Sequence, residues 1–313
     1  MRVIRKKRPY LISQPLPTVD GIGPSCLRVT AGQWRNILEY LQQRFCKVKP
    51  ETWVSRMEKG EVVDEHGAPL GPDSPCRKGA FIFYYRELDH EARIPFEESI
   101  LYQDNHILVA DKPHFLPVIP SGRFLRETLL VRLKRKLKVD SLVPLHRIDR
   151  ETAGLVMFSL NPENRRHYAS LFTKHEVKKV YEALAPALPG GHFPIKRRSC
   201  LVKGEPFFRM KEAEGMPNSE TTIDVMENMG AISLYHLVPV TGRQHQLRVH
   251  CASLGMPIIN DRFYPEVQPC KEDDFSSPLQ LLALSISFRD PLTGQDRYFR
   301  SNFKLETRIA KQK

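Results

Sequence analysis

The segment GLVMFSL, residues 154–160, constrains this chain most, because it is an uncharged apolar run that reads as a buried strand. A buried strand needs neighbours on both edges, and the flanking sequence supplies them in an irregular order. ILYQDNHILVADKP (100–113) reads as two short apolar runs around a polar turn, KKVYEALAPAL (178–188) as another strand, and residues 222–240 as a hairpin. Two helical patterns interrupt these strands. PENRRHYASLFTKH is expected to be capped by Asn161 with Pro162 in its first position, and QHQLRVHCASLG (244–255) to be ended by Gly255. Strands and helices alternate without a regular β-α-β rhythm, which predicts an α+β fold with much antiparallel pairing.

The first 95 residues have a different texture. Prolines and glycines break residues 1–30, which are expected to be irregular. Helices are predicted over 33–45 and 50–58, the second with Pro50 in its first turn and Gly60 at its end. Strands at 61–63 and 81–85 follow, joined through the turn-rich HGAPLGPDSPC. The acidic stretch 86–99 reads as a linker, so the expected organisation is an N-terminal extension over 1–95, with a small α/β module at about 30–90, and a larger domain over 96–313.

A net charge of +12 favours a polyanionic partner over a neutral metabolite. No stretch approaches the roughly 20 apolar residues that span a bilayer, so membrane is the least favoured polyanion. The basic start MRVIRKKRPY lacks a following signal-peptide run and reads as a solvated tail. Six scattered cysteines with no C-x-x-C pair point to a reduced, cytoplasmic protein without a structural metal. The expected form is a monomer.

Two segments carry candidate chemistry. In LHRIDRETAGL (145–155), charged residues crowd a turn between apolar stretches, and Asp149 lies between Arg147 and Arg150, which favours its ionised form as nucleophile or base. The same residues also read as a turn stitched by local ion pairs and a Thr152 hydrogen bond. In VTGRQHQLRVHCASLG (240–255), a helix is expected to begin at Arg243, Gln244 and His245. Arg248, three residues after His245, then shares its side, opposite the apolar stripe Leu247, Cys251 and Leu254. Arg248 reads either as a solvated charge or as the buried partner of a distant carboxylate.

LHRIDRETAGL resembles the H-R-L-D-x-x-T-S-G-L signature of RluA-type pseudouridine synthases. TGRQHQLRVHCASLGMPIINDRFY is similar to that family's second motif, KKVYEAL to its K-x-Y-x-A strand, and ILYQDNHILVADKP to the strand pair that opens its catalytic domain. Four likenesses in the family's order, over roughly residues 98–300, are far more specific than one. The resemblance implies a mixed, largely antiparallel central sheet flanked by helices, and a catalytic domain over 96–313. It implies isomerisation of uridine in ribosomal or transfer RNA, with no cofactor and no metal.

Carried over residue by residue, the resemblance makes Asp149 the catalytic aspartate, Tyr181 the aromatic that stacks on the target base, and Arg248 the aspartate's partner. Arg147 would fill the gap left by the flipped nucleotide, and Leu281 would line the pocket. His146, Thr152, Arg243 and His245 complete the expected substrate-binding set. Departures from the pattern occur at Phe115, Ala153, Asn260 and Leu282, none of which removes a catalytic group. The helices of the N-terminal module resemble the small RNA-binding module found before many such domains.

Basic residues in LLVRLKRKLKV (129–139), Arg132, Lys134, Arg135, Lys136 and Lys138, read either as a solvated helix face or as phosphate contacts. Two rival functions follow from the same residues. One is a non-catalytic RNA-binding or ribosome-assembly protein that retains the fold. The other is a metal-dependent phosphoesterase built on His146, His245 and Asp261, which the histidine spacing disfavours.

Overall fold

The computed structural model describes residues 15–88, 90–269 and 274–306. The basic start at residues 1–10 therefore lies outside the described residues. Two compact units emerge, Met1–Glu91 and Ala92–Lys313.

In the first unit, β1 (Ser25–Arg28), β2 (Val62–Asp64) and β3 (Phe81–Tyr84) form an antiparallel sheet in the order β1-β3-β2. The expectation of an irregular first 30 residues is corrected at 25–28, where Ser25–Arg28 gains strand structure only by pairing with Phe81–Tyr84. Helix α1 (Ile37–Arg44) starts later than expected because the Asn36 side chain accepts from the Glu39 N–H at 2.9 Å and sets the first turn there. Helix α2 (Pro50–Glu58) has Pro50 in its opening turn, and Gly60 follows at φ +70. Tyr40, Leu41, Trp53, Val62 and Ile82 are buried between helices and sheet. Arg56 is buried as well and donates to Glu87 at 3.0 Å, which leaves it no outward role.

The second unit is built on an 11-stranded sheet. Strands β4 (Ser99–Gln103) and β5 (Ile107–Lys112) form the predicted hairpin, and Asp104 closes its turn by accepting from the N–H groups of His106 and Ile107 at 2.7 and 2.8 Å. Helix α3 (Leu129–Leu137) lays Leu129 and Leu133 on Leu108, Val156 and Phe158. Strand β6 (Val143–Pro144) pairs briefly with β7 (Ala153–Ser159), all of whose residues are buried, as GLVMFSL requires. Helix α4 (Arg165–Thr173) begins after an Asx turn in which Asn161 accepts from the Glu163 N–H at 2.9 Å. The expected Asn161 cap is thus corrected: its side chain is spent on the preceding turn, and Asn164 occupies the cap position while its side chain bonds His106 and not the helix.

Strands β8 (Lys178–Pro186), β9 (Ile195–Lys203), β10 (Met210–Ala213), β11 (Ser219–Asn228) and β12 (Ile232–Pro239) follow. Helix α5 (Gln246–Ser253) precedes β13 (Leu281–Arg289) and β14 (Asp296–Arg300). The main path runs β10-β9-β11-β12-β8-β13-β7-β5-β4, with β14 on β13 and β6 on β7. Among the described residues, β13 and β7 form the parallel pair and every other pairing is antiparallel. At that junction Gly154 has φ +109, and a Cβ there would sit 2.3 Å from the Ala283 carbonyl oxygen, so only glycine lets the two strands meet.

Two further expectations change. Residues 86–88 and 90–98 are irregular, yet Ile94 is buried and Arg132 donates to the carbonyls of Ile94 and Phe96, each at 2.7 Å. With Glu98 and Glu127 as its ion-pair partners, Arg132 staples this segment to α3 and is not free for a phosphate. Lys134 is buried, which lowers its pKa, while Lys136 and Lys138 remain exposed.

Candidate active site

The loop between β6 and β7 has its backbone fixed from several directions. Leu145 N–H donates to Met157 O at 2.8 Å, and Met157 N–H donates to His146 Nε2 at 3.1 Å. The His146 ring also stacks on Phe172, with centroids 4.8 Å apart. Burial, and then the charge of Lys179, push His146 down to about 3, so it works as a neutral acceptor. Its role in the structure is to hold the loop.

Three successive carbonyls are then satisfied. Asp149 O accepts from the Thr152 N–H at 3.2 Å, Arg150 O from Lys112 Nζ at 3.1 Å, and Glu151 O from His114 Nδ1 at 2.6 Å. Lys112 is buried and also donates to Pro113 O at 2.8 Å. Burial pushes Lys112 down to about 7, against the opposing charges of Glu151 and Asp149. A carboxylate on a loop tied at each of these carbonyls has few orientations left to it.

The Asp149 side chain is 25% exposed and points at Arg248, whose Nη1 lies 3.4 Å from Oδ2, and at His245, whose Nε2 lies 3.9 Å from Oδ1. The sequence neighbours Arg147 and Arg150 were the expected cations, but Arg150 turns to Glu151 at 3.5 Å and stands over Phe124, and Arg147 is exposed. The cation at Asp149 comes instead from helix α5.

Arg248 is 1% exposed. Its Nε and Nη2 donate to the two oxygens of Asp261 at 2.7 and 2.6 Å, and Nη1 lies 3.9 Å from Glu151 Oε2. Phe263 and Tyr264 flank the guanidinium, with ring centres 4.9 and 5.4 Å from Cζ. Burial works against its charge, but Asp261, Asp149 and Glu151 together raise its pKa, so it stays a cation. His245 is the residue before α5, at φ 52 and outside the helix, so it does not share the helical face with Arg248 that spacing suggested. It reaches the same carboxylate from the turn, where its Nδ1 lies 2.9 Å from Tyr264 Oη.

The far side of α5 anchors it to the sheet. His250 Nε2 lies 3.0 Å from Ser219 Oγ and 3.1 Å from Ser199 Oγ, and its Nδ1 lies 2.9 Å from Thr221 Oγ1. Gln246 donates to Glu220 O and Thr221 Oγ1, each at 2.9 Å. This buried polar set fixes the helix, and with it Arg248.

Tyr181 stands on β8 and packs against the cluster that includes Leu237, Leu247 and Leu281. Burial, and then the Asp149 charge, raise its phenol above the ordinary range, so the ring is presented neutral. Leu281 is buried in that cluster at the start of β13, and Thr152 is buried at the base of the loop. Arg243 is exposed, and its Nε donates to Asn218 O at 3.0 Å. The structure thus gathers Asp149, Arg248, His245 and Tyr181, sets Thr152, His146 and Leu281 behind them, and leaves Arg147 and Arg243 outward.

Sequence reasoning missed Lys112, His114 and Glu151, and considered Asp261 only as a metal ligand. The signal for Asp261 was a charge beside the apolar run PII, in reach of a helix bearing Arg248. Among the described residues no three His, Cys, Asp or Glu side chains converge as metal ligands. No helix among them is long and apolar enough to cross a membrane. Asp149, the nearer of two partly exposed carboxylates on a buried cation, stands with an aromatic ring, which suits nucleophilic or general-base chemistry on a planar substrate.

The sequence model described as RNA pseudouridylate synthase matches residues 106–253. The chain is 30% identical to the dual-specificity RNA pseudouridine synthase RluA of Pasteurella multocida, over 63% of its own length and 89% of that protein. It is 29% identical to an uncharacterized RNA pseudouridine synthase of Synechocystis, over 73% of its own length and 79% of that protein. Among solved structures, human RNA pseudouridylate synthase domain containing 1 superposes with a TM-score of 0.55 at 24% identity, covering 68% of this chain and 86% of that one. That likeness concerns the fold.

Proposed function

The chain belongs to the RluA-type RNA pseudouridine synthases, isomerases that act on RNA, and from this premise we propose that Asp149 is its catalytic carboxylate and that its substrate is a uridine in ribosomal or transfer RNA. The observation that carries the reading is the geometry of Asp149: partly exposed, 3.4 Å from a buried arginine, and beside a neutral tyrosine. A duplex hides both the glycosidic bond and ring carbon five, so the nucleotide has to leave the stack, at a cost of a few kcal/mol.

Tyr181 then offers a face for the flipped base, a contact of roughly 1–3 kcal/mol. Arg147, exposed on the same loop, is assigned here to fill the vacated place in the RNA. Asp149 attacks the ring or the anomeric carbon, or takes a proton from the sugar, and the glycosidic C–N bond breaks. The uracil turns and rejoins through carbon five as any bond to Asp149 is released; carbon five gives up its proton and N1 ends protonated. Product and substrate are isomers, so the chemistry draws on no oxidant, reductant or transferred group, and no metal or cofactor is required. Arg248 aims Asp149 through its 3.4 Å contact, and Asp261 holds Arg248.

The free cysteines among the described residues support a reducing, cytoplasmic setting, and a monomer suffices because the proposed groups all lie on one chain. The test is pseudouridine mapping of total RNA from cells lacking the gene, complemented with wild type or with Asp149→Asn. A site that returns with wild type alone establishes activity and substrate. Restoration by Asp149→Asn overturns the role of the carboxylate, and no lost site in cells or in bulk RNA treated with purified protein favours a non-catalytic binder.

A further inference from the structure

Phe207, between β9 and β10, is 85% exposed, an expensive place for a phenyl ring. The loop that carries it is closed on itself, with Gly204 N–H donating to Arg209 O at 3.0 Å and Arg209 N–H to Pro206 O at 2.8 Å. It is also tied to the site already described. Gln244 Nε2 donates to Phe208 O at 3.2 Å, Met210 N–H donates to Tyr264 Oη at 2.8 Å, and the Arg209 guanidinium lies 4.9 Å from the Tyr264 ring centre. The Phe207 ring meets Phe208 edge-on at 5.6 Å, Phe208 meets Phe263 at 4.9 Å, and Phe263 flanks Arg248, the cation at Asp149. An apolar ring is thus held out into solvent on a fixed arm, a short chain of contacts from the catalytic carboxylate.

We propose that Phe207 is a stacking platform for an unpaired base of the substrate RNA near the target uridine. This rests on the RNA-modifying reading of the Asp149 site. Exposed Lys203 and Lys211 flank the ring four residues away on either side, and exposed Arg243 precedes the Gln244 that binds Phe208 O; of the arm's acids, Glu205 is exposed and Glu212 is paired with Arg197, and the chain carries +12 overall. One aromatic face among cations matches a nucleobase with its phosphates, whereas a protein partner calls for a contiguous apolar patch of several hundred Å². Stacking tolerates any base, so Phe207 contributes affinity and placement of the strand and leaves the choice of uridine to other contacts.

The test uses the full chain with Phe207→Ala and Phe207→Trp, and labelled bulk transfer and ribosomal RNA as probes. Both variants are expected to melt with wild type. Phe207→Ala is expected to weaken binding and raise KM about tenfold while kcat at saturation stays within about twofold, and Phe207→Trp to restore both. The dependence of binding on salt stays unchanged, because no phosphate contact is removed. Unchanged affinity in Phe207→Ala overturns the proposal, as does a shallower salt slope. So does light scattering that finds wild-type dimers turned into monomers by the substitution, since a second copy would then cover the ring. Absence of pseudouridine formation by wild type would instead count against the Asp149 reading, and RNA binding by Phe207→Ala would still decide this one.

Discussion

Asp261 holds Arg248 through both carboxylate oxygens, at 2.7 and 2.6 Å, and leaves Asp149 only Nη1 at 3.4 Å. The closer pair is buried, and the looser one belongs to the partly exposed carboxylate proposed to act on the substrate. Asp261 therefore sets where the buried charge sits, while Asp149 borrows it.

Asp261→Asn is expected to destabilise the fold by about 3–5 kcal/mol, the usual cost of removing one member of a buried ion pair. It should also cut single-turnover pseudouridine formation at least tenfold, because the guanidinium loses its fork. Urea unfolding alongside single-turnover kinetics checks both effects. A loss below about 1 kcal/mol would mean that Arg248 is held by its aromatic neighbours.

The phenol of Tyr181 is raised by burial and then by the Asp149 charge, so it stays protonated through the neutral range. The pH–rate profile should show no limb below pH ~10 that disappears in Tyr181→Phe. Tyr181→Phe is expected to bind RNA within about twofold of wild type, and Tyr181→Ala about tenfold more weakly. A limb near neutrality that Tyr181→Phe abolishes would show a phenolate at work.

Gly154→Ala should fail by a different route. Its Cβ would meet the Ala283 carbonyl at 2.3 Å from a backbone at φ +109, and neither strand can give way without opening the β7–β13 junction. A stability loss of at least about 3 kcal/mol, or insoluble protein, is expected, read by thermal melting. A variant that melts with wild type would mean the junction relaxes at little cost.

Burial pushes His250 down to about 4. Between pH ~6.5 and ~4 the unfolded chain binds a proton that the folded chain refuses, so stability falls as acid is added across that window and levels off below it. The contribution is on the order of 3 kcal/mol. His250→Gln should start less stable at pH 7 and lose less between pH 6.5 and 4, as measured by urea midpoints. An equal acid slope in both proteins would assign the effect to other groups, such as His114 and His146, which burial also pushes down to about 4 and about 3.

Much of the catalytic frame could be read from local pattern. Pro50 marks its helix, GLVMFSL its buried strand, and the motifs around Asp149, Tyr181 and Arg248 resemble those of the family in order. Contacts made across the fold could not be read this way. β9 carries Lys196, Arg197 and Arg198, a run of charge in the sequence whose partners Glu212 and Glu220 come from β10 and β11 only once the sheet forms. Lys112 looks like a surface lysine at a strand end, and only the fold shows its ammonium buried under the Arg150 carbonyl. Arg132 looks like one more basic residue on a helix, although three partners more than thirty residues away, with nearby Glu127, occupy it.

The sheet order places β13 between β8 and β7, although β13 is made after both. Tyr181 belongs to one side of that slot and the Asp149 loop to the other, so until Leu281–Arg289 has been synthesised nothing joins them edge to edge. A growing chain can hold every proposed catalytic group and still lack a catalytic site. The order of strands in the sheet thus makes the proposed site a late product of the chain, closed only when β13 fills its slot.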